Sequence, residues 1–398
     1  MSALESARER LQPVFERIGA TSLEREQSRT LPTEAVRDLR DAGFGRLRIP
    51  VEFGGDGLSW PDFAELLIEL AALDSNLPQI FRGHIAYVED LIAAAPGPRR
   101  ERWLRRLAAG DLVGNAWSEV GSGAIGASGT VVSEAGDGSL RVDGRKFYTT
   151  GSIFADWIDA TATKDGTDVT VLIPRHQEGV TVLDDWDGFG QPLTGTGTAI
   201  FESAEVSAED VAPFADRFRY QTAVYQLVLV SVLAGIAAAV ERDVAEQIRA
   251  RTRVYSHGTA ARTHEDPQIL QIVGELSAVA AVARASVLEV ARAVERAAAL
   301  ADDRDSADAI DAVVEAEFAS AQSQVVLTDL VPRAATRLFD TLGASAISGS
   351  KSLDRHWRNA RAVASHNPWI FKARQLGDRA VTGAVPDFIW AVGVAAPK

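Results

Sequence analysis

The chain of 398 residues has no cysteine, and its one methionine is Met1. Disulfides, thiolate nucleophiles and cysteine-ligated metals are therefore excluded. A chain without oxidisable sulfur would tolerate an oxidant made in its own site, but the excess of arginine over lysine and the abundance of alanine favour biased nucleotide composition as the cause. Basic charge is also short: Lys and Arg number 41 against 55 Asp and Glu, a net charge of -14, which opposes binding to nucleic acid. No apolar run reads as a membrane span of about 20 residues; the longest candidate, 227–240, is alanine-rich and broken by Ser231 and Gly235. The opening MSALESARERLQPVFERIGA is charged and helix-periodic, unlike a secretory signal, so a cytoplasmic protein without membrane or nucleic-acid partners is expected. There is no Gly-x-Gly-x-x-Gly in a strand–loop–helix setting, hence no sign of a bound nicotinamide. No His-x-x-x-His occurs, and His257 and His264 are too far apart for one helix face, so no metal is expected.

What is present is an ordinary globular balance of 46% apolar and 24% charged residues. Helical periodicity and stop signals predict helices over 4–18, 32–42, 60–73, 84–94 and 98–109. The glycine-rich GFGRLRIPVEFGGDGLSW between the second and third follows no strand, so it reads as a tight connector and not as a phosphate loop. From about 112 to 211 the pattern changes to short strands, over 129–133, 139–148, 157–163, 169–174, 180–183 and 198–206, separated by AGDG, KDGTD and QEG turns. Their spacing predicts a β-sandwich or small barrel. Long helices follow over 218–253, 267–300 and 306–342, with Pro332 as an expected kink, then a shorter one over 353–364. The expected class is α+β: an N-terminal helical domain (1–113), a central β domain (114–212) and a C-terminal four-helix bundle (213–398).

The stretch DRHWRNARAVASHNPWIFKARQLGD, residues 354–378, concentrates unusual chemistry. Arg355, Arg358 and Arg361 share one helical face, and His366 would stand at that helix's end, just before an Asn-Pro turn and Trp369. Local chemistry alone allows two readings: one wall of a pocket, or a solvated basic helix closed by a capping histidine.

Four segments in order carry a resemblance. GNAWSEVGSGAIG is similar to a Thr-Glu-Pro-x-x-Gly-Ser flavin motif, and DGRKFYTTGSIFADW to a Lys-x-Phe-Ile-Thr-Asn-Gly segment lying against a flavin ring. GFGQPLTGTGTAIFESAEVSAEDV resembles a strand pair in which Pro192 replaces a common arginine, and DTLGASA with RNAR resembles C-terminal Gly-Gly-x-Gly and Arg-Asp-x-Arg elements. Together they resemble the acyl-CoA dehydrogenase superfamily over nearly the whole chain, which implies that superfamily's fold. The resemblance implies flavin contacts from Asn115, Trp117, Ser118, Thr149, Thr150, Ser152 and Trp186, since an isoalloxazine edge needs small polar groups and close-lying amides. Read locally, the same Ser, Thr and Asn residues would serve turns and strand edges. Arg251, Arg253 and Lys351 are the implied cations for the flavin phosphate.

The resemblance also separates two chemistries. The dehydrogenases need a carboxylate base just past Arg-Asp-x-Arg, but RNARAVASHNP places Asn367 there, and 211–240 offers only Asp216. His366 beside it resembles the flavin-dependent monooxygenase branch similar to dibenzothiophene monooxygenase, which uses reduced flavin and O2 through a flavin hydroperoxide. The implied catalytic set is His366, His84 and Ser152. His84, Tyr87, Phe147, Asn367 and Trp369 form the implied substrate pocket, for a largely apolar aromatic or heteroaromatic molecule oxygenated at S, N or C. Implied partners are reduced FMN, with FAD possible, an NAD(P)H-dependent reductase delivering flavin by diffusion, and further copies of the chain in a homotetramer. The competing readings are an FAD-dependent acyl-CoA dehydrogenase with a relocated base and an inactive scaffold of the same fold.

Overall fold

The structure, a computed structural model, describes residues 2–119 and 129–385. The N-terminal helices are α1 (Ala3–Ser28), α2 (Thr33–Asp41), α3 (Trp60–Leu73), the single turn α4 (Leu77–Ile80), α5 (Arg82–Ala93) and α6 (Pro98–Ala108). α1 begins in a reciprocal cap, with the Glu5 amide donating to Ser2 Oγ and the Ser2 amide donating to Glu5 Oε2. It runs ten residues past the predicted end, because Gly19 lets the helix lie against Leu73 of α3. The glycine-rich connector is indeed a tight turn: a Cβ on Gly55 would sit 2.0 Å from the Ile49 carbonyl oxygen.

The central domain contains β1 (Val113–Ala116), β2 (Val131–Glu134), β3 (Leu140–Lys146), β4 (Trp157–Lys164), β5 (Thr167–Pro174), β6 (Val180–Val182), β7 (Ala199–Val206) and β8 (Val211–Pro213). They pair in the order β6-β7-β3-β2-β4-β5-β8, with β1 added parallel to β4. β5 also packs against β7, so the sheet folds over a core of Val132, Val142, Ile158, Val171 and Phe201. β1 is fully buried and lacks alternation, which is why no strand is predicted there.

The C-terminal bundle comprises α7 (Gln221–Ala250), α8 (Pro267–Ala298), α9 (Ala307–Arg337), α10 (Asp354–Ala364) and α11 (Trp369–Thr382). α7 packs on α3, α8 and α9, making it the axis on which the N-terminal domain meets the bundle. Pro332 lies inside α9, and a further helix, α11, follows the Asn-Pro turn with Pro368 as its cap residue. The reading of the 227–240 run changes, because α7 is long and apolar enough to cross a membrane. Its apolar window is 89% buried among the other helices, as in the central helix of a bundle; the comparable window of α8 is only 17% buried.

α7 and α3 approach closely at Gly235, where an added Cβ would lie 2.3 Å from Ala71 Cβ and 2.7 Å from its carbonyl carbon. Gly235→Ala should therefore lower stability by about 1–3 kcal/mol, the overpacking cost exceeding the ~1 kcal/mol gained in helix propensity. A fall in the urea midpoint at unchanged slope checks this; a rise contradicts the packing described.

Candidate active site

One buried cation joins the three parts of the chain. Arg217, which leads into α7, places Nη1 3.0 Å from Asp159 Oδ2 on β4 and 3.7 Å from Asp90 Oδ2 on α5. Burial and the neighbouring Asp90 raise the Asp159 pKa although Arg217 opposes them. Against its own burial, Arg217 is held protonated by the same two carboxylates, so one guanidinium shared between two acids accounts for both directions. Trp117 donates its indole N–H to Asp159 at 3.1 Å, and Arg217 lies 4.7 Å from the Trp117 ring centre. Tyr225 of α7 meets the same indole edge-on at 5.4 Å, and the Arg82 guanidinium is 5.3 Å from the centre of the Tyr225 ring. The result is a continuous stack, Arg217–Trp117–Tyr225–Arg82, crossing from the β domain to the first turn of α5.

Around that stack, buried polar atoms lack hydrogen-bond partners among the described residues: Asn115 Oδ1, the Tyr225 hydroxyl, Arg82 Nε, and Nε and Nη2 of Arg217, whose charge is nevertheless paired. Asn115 lies on β1 against Gly83, where a Cβ would come 3.0–3.1 Å from Asn115 atoms. Gly151 brings the TTGS loop to the same place: it adopts φ +80°, and a side chain there would strike the Ile80 carbonyl oxygen at 2.2 Å. The two segments with flavin-like motifs meet directly, since the Phe147 amide donates to the Ser118 carbonyl at 2.8 Å. Residues 120–126 of GNAWSEVGSGAIG lie outside the described residues.

His366 ends α10 and stands over this cluster. Asn367 donates through Nδ2 to Gln226 Oε1 at 3.0 Å, which makes Asn367 Oδ1 the acceptor for His366 Nδ1 at 3.3 Å. The Asn367 carbonyl in turn accepts from Gln324 at 3.3 Å. His366 therefore carries its proton on Nδ1 and presents a bare Nε2. The residue is exposed to solvent, yet the protein packed around its ring first, then the positive Arg82, push its pKa down to about 3. It is neutral near pH 7, and its exposed side moderates the depression without reversing it. No carboxylate hydrogen-bonds to Arg82, Asn115, Tyr225 or His366 among the described residues.

Other expected residues take different places. His84 is a correction: Nε2 donates to the Gly45 carbonyl at 2.8 Å and Nδ1 accepts from the Val113 amide at 3.3 Å, so the ring clamps α5 to β1 and has no nitrogen left for chemistry. Tyr87 is another, for it turns away into the α5–α6 core against Trp103, with its hydroxyl accepting from Arg99. Ser152 donates to the Asn115 carbonyl at 2.9 Å, which removes it from proton transfer and makes it a positioning residue for Asn115. Thr149 bonds twice to the Gly197 carbonyl, and Thr150 joins a hydroxyl chain with Thr196 and Thr194. Trp186 donates to the Gly190 carbonyl and meets Tyr148 edge-on, while Phe147 lies under Arg145. Trp369 is half-buried at the start of α11. Arg251 is spent on the Leu342 carbonyl and Ser345 Oγ; Arg253 is exposed and Lys351 half-buried in the turn before α10.

The arginine face of α10 is structural: Arg355 pairs with Asp243 of α7, Arg358 with Glu26 of α1, and Arg361 is exposed. A cleft of about 470 Å3 lined by Arg40, Gly43, Gly45, Arg46 and residues 107–112 contains none of the stack residues or His366, so it is not the site the chemistry selects. Arg82, Tyr225 and Gln226 escape the sequence reading. The available signal was a lone charge inside the apolar run LPQIFRGHIAYV.

Burial pushes the His84 pKa down to about 4, so the unfolded chain binds the extra proton between pH 6.5 and 4 and stability falls as pH drops through that window. Unfolding in urea should show the wild type losing about 2 kcal/mol more between pH 7 and pH 5 than His84→Gln. Equal losses would contradict the clamped neutral ring.

Two family models match the chain: the acyl-CoA dehydrogenase N-terminal domain over residues 3–111 and the acyl-CoA dehydrogenase C-terminal domain over residues 227–369. The chain is 27% identical to dibenzothiophene monooxygenase of Mycolicibacterium goodii over 383 residues, covering 92% of this chain and 91% of that protein. A probable FMNH2-dependent monooxygenase of Pseudomonas putida is 27% identical over 381 residues, 92% of each chain. Among solved structures, the complex of TdsC from Paenibacillus sp. A11-2 with FMN and indole superposes with a TM-score of 0.87 at 27% identity, covering 96% of this chain and 98% of that one. The two matched domains, the helix–sheet–bundle order and the full-length relatives agree: the chain belongs to the acyl-CoA dehydrogenase superfamily, in its flavin-dependent monooxygenase branch.

Proposed function

We propose that the chain is the oxygenase component of a two-component monooxygenase, receiving reduced FMN by diffusion from an NAD(P)H-dependent reductase and oxygenating a small molecule with an aromatic or heteroaromatic body. The observation that carries this is the neutral His366 with a bare Nε2, bonded to an Asn367 that stands where the resemblance places a carboxylate in the dehydrogenases. Asn367, at the position of that carboxylate, is an amide with no basic atom, and its two ends are occupied by Gln226 and His366.

The residues fit a flavin. Asn115 Oδ1 is a buried acceptor without a donor, and a reduced isoalloxazine offers ring N–H groups. Asn115, Trp117, Ser118, Thr149 and Thr150 would hold the ring, with Ser152 fixing the Asn115 backbone. Reduced flavin and O2 together supply one oxygen atom to the substrate, the other leaving as water, while the flavin returns to its oxidised form. The chain's own contribution is proton control at His366 Nε2. His366 Nε2 accepts a hydrogen bond or a proton at the reacting position, and the Gln226–Asn367 relay fixes the tautomer that leaves that atom bare. The Tyr225 hydroxyl, on the same wall, holds its proton firmly because burial raises its pKa. Trp117 and Tyr225 exclude water from the inner wall.

His366→Ala should lower oxygenated product by roughly 10²–10⁴-fold. FMNH2 affinity should change little, and the oxygen consumed should appear as hydrogen peroxide. Product at the wild-type rate would remove His366 from this role.

We also propose that the poorly buried apolar face of α8 is covered by a second copy of the chain within a homotetramer. Leu270 and Val282 on α8, and Val326 on α9, stand about half exposed. Light scattering on Leu270→Glu/Val282→Glu should show a smaller particle than the wild type; an unchanged mass, or a monomeric wild type, contradicts the arrangement.

A further inference from the structure

Arg82 is 7% exposed, yet it makes no hydrogen bond and no ion pair among the described residues; its one polarising contact is the face of Tyr225. The other deeply placed arginines each hold an acid: Arg217 has Asp159 and Asp90, Arg48 has Glu89, and Arg25 has Asp74. The acids nearest Arg82 in sequence are already committed. Glu89 receives Arg48, the Trp60 indole and the Tyr220 hydroxyl, and Asp90 receives Arg217 and the Phe218 amide. A buried cation without a counter-charge is unfavourable, and burial correspondingly lowers its pKa. Such a group persists where a ligand completes it.

The ligand must approach from the reacting side, because the guanidinium lies over Tyr225, whose own hydroxyl lacks a partner, and its charge reaches His366. The groups fitted to the flavin lie instead on β1 and the TTGS loop of the β domain. Resting on the monooxygenase reading above, we propose that the substrate carries an anionic oxygen group of the carboxylate or sulfinate class, bound by the Arg82 guanidinium with the Tyr225 hydroxyl beside it, while its apolar body lies toward Trp117 and His366. A planar arginine fork offers two parallel N–H donors to such a group. The expected substrate is therefore amphipathic and not wholly apolar. With a net charge of -14 the chain repels anions at long range, so selection for this group is made locally, at Arg82.

Calorimetric titration of the flavin-free protein with indole-2-carboxylate, benzenesulfinate and neutral indole tests this. The wild type should bind the two anions on the order of 10- to 100-fold tighter than indole. Arg82→Gln should abolish that preference while leaving indole and FMNH2 affinities unchanged, and Arg82→Lys should restore part of it. Because Arg82→Gln removes an unpaired buried charge, its melting temperature should equal or exceed that of the wild type, whereas a structural arginine would lower it. Failure of both anions to bind, a preference that persists in Arg82→Gln, or a loss of FMNH2 affinity in that variant overturns the inference, the last assigning Arg82 to the flavin. Failure of the monooxygenase reading would look different: the wild type would bind no FMNH2 and form no oxygenated product, whatever its preference among the probes.

Discussion

The fold depends on a single guanidinium. Arg217 reaches from the head of the bundle to an acid on β4 and another on α5, and those three elements belong to three separate parts of the chain. Breaking such a buried pair from one side typically costs about 3–5 kcal/mol, since the remaining charges stay desolvated. The loss here would not be confined to stability. Trp117 is held by Asp159 and lies under Arg217, Tyr225 leans on Trp117, and Arg82 leans on Tyr225. The position of the inner wall is thus inherited from the charge pair behind it.

That arrangement has two unlike ends. At the Arg217 end every charge has an opposite, as a structural interior requires. At the Arg82 end a cation, a hydroxyl and an amide oxygen are left without partners, and the neutral His366 adds a free lone pair. A site that pairs its charge where it meets the scaffold and leaves a cation without a counter-charge at the other end is organised around ligands. The lack of an acid there turns the chemistry away from proton abstraction by a carboxylate and toward delivery of oxygen.

The parts of the structure governed by local periodicity were legible in the sequence. The bundle helices and most strands show their apolar spacing plainly, and four motif segments in order identify the superfamily. Features set by distant contacts were not. α1 continues past Gly19 because Leu73 lies opposite, and β1 is invisible because a wholly buried strand has no alternation. The pairing order of the sheet leaves no trace in any one strand. The turn that carries His366 and Asn367 was legible because their neighbours in sequence define it. His84 and Tyr87 were misplaced because a helix position does not reveal which backbone groups meet it from another domain. Arg82 and Tyr225 draw their meaning from a stack assembled out of four separate segments.

The reaction proposed at this site is transfer of oxygen to a substrate. The most direct measurement supplies FMNH2 through a flavin reductase under 18O2, with sulfides, indoles, phenols and their carboxylate or sulfinate derivatives as acceptors, and reads product mass. The expected result is a product carrying one atom of 18O, formed only when reduced flavin, oxygen and this chain are all present. An unlabelled enoyl product made from an acyl-CoA by bound oxidised flavin, with no 18O entering any acceptor, would contradict it.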